Sequence, residues 1–116
     1  MKDDPDCPVR DVLRRVTDGW SSLVLRELSR GRLRFSAIER SLLDISRRML
    51  AKTLRSLEED GLVLRTVHPT KPPSVEYELT DLGQSFVPHL MGMAAWAFEN
   101  HDRIRAARAQ YSSELA

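Results

Sequence analysis

Four cations fall within residues 47–55 of the sequence: Arg47, Arg48, Lys52 and Arg55. Three acids, Glu58, Glu59 and Asp60, follow them. Leu50, Leu54 and Leu57 recur between them at helical spacing, so residues 45–62 predict an amphipathic helix with one apolar stripe. Ser46 suits the N-cap, where a hydroxyl accepts a free backbone N–H of the first turn. Ile45 and Leu50 are spaced as a hydrophobic staple, and Gly61 as a left-handed stop. The charge order opposes the helix dipole, which favours acids first and bases last. A helix built only for stability is more often charged the other way. Cations in the first turn suit an element whose tip meets phosphates and base edges. A merely solvated helix can carry the same stripe, so the segments around it decide the reading.

The other reactive residues are few. Cys7 precedes Pro8 at the start of a short apolar-periodic stretch. A thiolate there is favoured by the helix dipole and by Arg10, and opposed by Asp3, Asp4 and Asp6. A reactive thiol and a plain capping residue are both open readings. One cysteine excludes an internal disulfide and fits a reducing compartment. His68, His89 and His101 lack metal-ligand spacing, so neither a metal site nor a cofactor is expected. No Ser/His/Asp set or phosphate-binding loop is visible, so an enzyme is not expected.

The elements that must position these residues can be read in order. Residues 1–6 are polar and read as an arm. Val9, Val12, Leu13 and Val16 give a first helix, broken at Asp18 and Gly19. Trp20, Leu23, Val24 and Leu28 stripe a second, ended by Gly31. Ser36 with Glu39 has the form of a capping box for a third helix, with Ile38 and Leu42 inward. A short turn at 43–45 leads into the basic helix, which makes a helix-turn-helix unit. The period then changes. Residues 62–68 and the alternating Val75, Tyr77 and Leu79 read as two strands. PTKPPS, residues 69–74, forms a stiff tip between them carrying Lys71. This is a winged helix, mostly α with a small β-hairpin, and the hairpin is placed to touch the sugar-phosphate backbone. Thr80 caps a last helical region, where Pro88 predicts a kink or break.

That last region is apolar on more than one face, through Phe86, Leu90, Met91, Met93, Trp96 and Phe98. Such a helix needs a second partner, and a second copy of the chain is the expected one. Trp20, Phe86, Leu90, Met93 and Trp96 are candidates for that dimer core or for an effector pocket.

The 116 residues suit a single domain, with 7–80 as the winged-helix core and 81–116 as C-terminal dimerisation helices. Net charge is only +1, so a nucleic-acid surface must come from local segregation. Residues 45–75 supply it, with six bases against three clustered acids. No apolar run reaches the ~20 residues of a membrane span, and residues 1–8 lack the core of a signal peptide. A cytoplasmic protein without a membrane partner is expected.

Several motifs occur in a family order: the CPV start, GW with LVLREL, RFS, the ISRRML-to-LEEDGLV helix, PPSVEYELT and TDLG. Over residues 7–101 the chain resembles the HxlR-type winged-helix transcription regulators of bacteria and archaea. The resemblance implies a homodimer on a palindromic operator in double-stranded DNA, joined by its terminal helices. It places Ser46, Arg47, Arg48, Met49, Lys52 and Thr53 on the DNA-reading helix and Lys71 on the wing. Arg32 and Arg34, flanking the preceding turn, are further phosphate candidates. Some relatives sense quinones, aldehydes or hypochlorite with a cysteine at the place of Cys7. One departure is that Gly19 runs directly into Trp20, where many relatives carry a lysine or similar residue between them. The alternative function is a winged-helix protein–protein module without a DNA target.

Overall fold

The structure is a computed structural model and describes residues 7–115. The arm at 1–6, with Asp3, Asp4 and Asp6, lies outside them. Pro8 opens α1 (Pro8–Val16), where its missing N–H costs nothing. Asp18 starts the next helix rather than only ending this one. Its Oδ1 accepts the Ser21 N–H at 2.8 Å, and Gly19 is the first residue of α2 (Gly19–Leu28). Ser21, Val24, Leu25 and Leu28 are buried, while Leu23 turns outward.

The chain next forms a strand too short for any alternation to reveal. β1 (Leu33–Arg34) pairs antiparallel with β3 (Ser74–Leu79), joining Leu33 to Tyr77 and Arg34 to Glu76. With β2 (Val63–His68) this gives a three-stranded sheet in the order β1-β3-β2, one strand more than the expected hairpin. The pairing also corrects the third helix. α3 (Phe35–Ser41) begins directly after Arg34, whose side chain makes no cap. Ser36 is therefore already helical, and no Ser36–Glu39 capping box forms.

α4 (Arg47–Glu59) follows its local signals closely. Ser46 Oγ accepts the Met49 N–H at 3.0 Å, and Ile45 and Leu50 are both buried. Gly61 stops the helix at φ +74°, a value glycine adopts without a Cβ penalty. Leu50, Leu54 and Leu57 sit in the centre of one core with Val24, Leu25, Leu28 and Ile38. Each such side chain contributes ~1.5–3 kcal/mol when fully buried. Tyr77 and Leu79 close this core from the sheet.

The last helical region, expected to kink or break at Pro88 into C-terminal dimerisation helices, is a single helix, α5 (Asp81–Leu115). Thr80 Oγ1 accepts the Gly83 N–H at 3.1 Å and donates to the Gly61 carbonyl at 2.6 Å. The helix runs through Pro88 without a break. Pro88 removes one N–H donor, while Phe86, Val87 and Leu90 hold that segment on the core. Gly83 is where α5 crosses the chain after α4: a Cβ there would lie 2.2 Å from the Leu62 carbonyl oxygen. No residue of α5 after Leu90 is buried. No helix is long and apolar enough to cross a membrane among the described residues.

Candidate nucleic-acid interface

The first turn of α4, the start of α3 and the tip of the wing enclose an open groove of about 780 Å³. Arg34, Arg47 and Lys71 all line it, so three cations from three parts of the sequence meet there. Ser36 and Thr70 also line it, and sequence reasoning missed both. The signal at Ser36 was present but pointed to a cap. Thr70 Oγ1 donates to the Pro72 carbonyl at 2.8 Å, which folds the tip back on itself and fixes the place of Lys71.

Arg47 is exposed, yet α3 holds it from two sides. Its Nε lies 3.6 Å from Glu39 Oε2, and its guanidinium carbon sits 5.6 Å from the centre of the Phe35 ring. Arg48, Met49 and Lys52 are exposed along α4. Ser46 has its hydroxyl engaged in the cap. Thr53 corrects the expectation. It is only 6% exposed and lies with Leu50, Leu54 and Leu57 on the core side. A residue three on from Leu50 stays on Leu50's face. Arg32 stands outside the groove, 3.5 Å from Glu78 on β3.

The acidic end of α4 has a partner that no local pattern showed. Arg15 of α1 donates through Nε to Asp60 at 2.6 Å, and through Nη2 to Ser56 Oγ at 2.9 Å. Glu59 lies 3.4 Å from the same nitrogen. The hydrogen bond to Asp60, then its charge, raises the Arg15 pKa above its ordinary value. The reversed charge order of α4 thus has two separate causes. Two of its acids, Glu59 and Asp60, bind Arg15 of α1, and Arg47 in its first turn lines the groove.

A second cavity, of about 380 Å³, lies between α1, the end of α4 and the start of α5. Of the five effector-pocket or dimer-core candidates, only Phe86 lines it. Leu90 is buried in the monomer core, and Trp20 packs against that core. Met93 and Trp96 are 44% and 58% exposed. The five therefore do not form one pocket. Cys7 is the N-cap residue of α1 and is buried, with no cap hydrogen bond from its side chain. No group of three or more potential metal ligands occurs among the described residues.

The sequence model of the HxlR-like helix-turn-helix family matches residues 15–105. The chain belongs to this family. It is 40% identical over 102 residues to the HTH-type transcriptional regulator YtfH of Escherichia coli (strain K12), covering 88% of this chain and 81% of that one. A solved YtfH regulator from Salmonella typhimurium superposes with a TM-score of 0.83 at 39% identity, covering 91% and 95% of the two chains. The redox regulator HypR in its reduced form superposes at 0.80 with 34% identity, covering 85% and 98%. The protein is thus a winged helix-turn-helix transcriptional regulator, of a family that binds DNA.

Proposed function

We propose that this chain works as a homodimer on a palindromic operator in double-stranded DNA. The first turn of α4 enters the major groove, and Lys71 on the wing meets the backbone beside it. The observation that carries this reading is the meeting of Arg34, Arg47 and Lys71 around one open groove, with Arg48 and Lys52 exposed next to it. Residues 7–80 then form the reading domain and α5 joins the copies. Two kinds of exposed apolar surface support the dimer: Val9, Val12 and Leu13 on α1, and Met91, Met93, Trp96, Phe98, Tyr111 and Leu115 on α5. A regulator meeting chromosomal DNA works in the cytoplasm. A gel shift at moderate salt on DNA upstream of the chain's own coding sequence tests the reading. Sedimentation at micromolar concentration tests the dimer. A monomer there sinks the palindrome, and absence of binding leaves the protein–protein module as the function.

A redox response through Cys7 is a second reading. Its position at the start of α1 and the likeness to HypR favour it. The 4% exposure of Cys7 slows any oxidant until the first turn of α1 opens. Operator affinity should fall on mild oxidation and return with a reductant, while Cys7→Ser stays indifferent. Oxidant-insensitive binding by the unaltered chain removes this reading.

A further inference from the structure

We infer that Glu39 decides what Arg47 does: it makes this arginine a guanine reader and leaves phosphate contact to Arg48 and Lys71. The inference rests on the DNA-binding reading above. Glu39 lies on α3, with its side chain 27% exposed, and its Oε2 is 3.6 Å from Arg47 Nε. That is the inner nitrogen of the guanidinium. Arg47 has no second carboxylate within ion-pair distance among the described residues, and its two terminal nitrogens form the fork that matches guanine O6 and N7. The Phe35 ring supports the guanidinium from its own side at 5.6 Å. An arginine held this way loses less freedom on forming a bidentate contact.

The same carboxylate discriminates between the two available DNA targets. A phosphate approaching Arg47 meets the negative charge of Glu39 within the same few ångströms. A guanine edge offers neutral acceptors and meets no such repulsion. Arg48 has no carboxylate within ion-pair distance among the described residues. The exposed pair contributes little to folding. Neighbouring arginines of one helix turn thereby acquire different tasks, one specific and one electrostatic.

Selection from a random duplex library, followed by affinity measurement across salt, tests this on the full chain. The unaltered protein should enrich a guanine in each half-site, and Arg47→Lys should lose that preference while keeping its charge. Glu39→Gln should weaken the same preference roughly tenfold or more. It should also bind unrelated duplex more tightly, with a salt slope steeper by about one phosphate's worth. Glu39→Ala should behave as Glu39→Gln, with circular dichroism and melting temperature near those of the unaltered chain. A guanine preference that survives Arg47→Lys or Glu39→Gln overturns the inference while leaving DNA binding in place. An unaltered chain that enriches no sequence overturns the DNA-reading assignment itself, and this inference with it.

Discussion

The two ends of α4 are built on opposite terms. At the C-terminal end, Leu57 is fully buried, and Arg15 ties Asp60 and Ser56 to α1. Gly61 turns the chain, and α5 crosses it at Gly83 with no room for a Cβ. At the N-terminal end, Arg47 is 78% exposed in its side chain, with Glu39 and Phe35 of α3 beside it. One end fixes the helix in the body, and the other leaves Arg47, Arg48 and Met49 exposed, as the proposed contact with DNA requires. A reading helix needs both, because base contacts specify only if the helix is aimed reproducibly.

Substitutions at the two ends should therefore separate stability from recognition. The largest effect is expected at the anchored end. Leu57→Ala should destabilise the fold by ~2–5 kcal/mol, since it empties a fully enclosed site. Denaturant unfolding measures this, and a change under about 1 kcal/mol would mean that the core re-collapses around the gap. Gly83→Ala should cost about 1–3 kcal/mol, because its methyl group meets backbone rather than a movable side chain. An unshifted denaturant midpoint would show that α5 can lift from Leu62 freely. The double change Arg47→Ala with Arg48→Ala should leave the midpoint within ~0.5 kcal/mol. It should remove ~1–3 kcal/mol of discrimination for each base that is read. Competition between operator and unrelated duplex gives that number, and unchanged discrimination with native circular dichroism would move the reading surface elsewhere. Lys71→Ala should have the smallest effect. It should weaken binding to all sequences alike and make the salt slope shallower by about 0.9. Loss of one base preference instead would put the wing tip in a groove rather than on the backbone.

The two ends also differ in how far they could be read from sequence. Ser46, Leu50 and Gly61 announce the limits of α4 because capping and left-handed turns are decided within a few residues. The same locality explains the errors. Ser36 and Glu39 have capping-box spacing, but the pairing of Arg34 with Glu76, far along the chain, sets where α3 begins. Thr53 is polar and lies among basic residues, yet the core stripe claims its face. Arg15 stands in α1 with nothing nearby to mark its reach across to Asp60. β1 has two residues, fewer than any alternation needs. Of the expected DNA-facing cations, Arg34, Arg47 and Lys71 do meet, whereas Arg32 faces Glu78. What sequence conveyed was the inventory of charges, and what it withheld was which carboxylate stands beside each.

Gly83 and the length of α5 together have a consequence for operator spacing. From Leu90, its last buried residue, to the end of α5 at Leu115 the helix extends roughly 38 Å, at 1.5 Å per residue. With its near end wedged against Leu62 at Gly83, held on the core as far as Leu90 and without a buried residue beyond, it is a lever whose fulcrum is the segment from Gly83 to Leu90. A tilt of about 5° there moves the far end by about 3 Å, close to the rise of one base pair. In the proposed dimer, the seating of that segment therefore acts as a gauge for the gap between half-sites. An operator lengthened by one base pair adds that rise together with a rotation of about 35°. The lever can absorb the first by tilting, but not the second, so the tolerance of this regulator for spacer length should be limited by twist and not by distance.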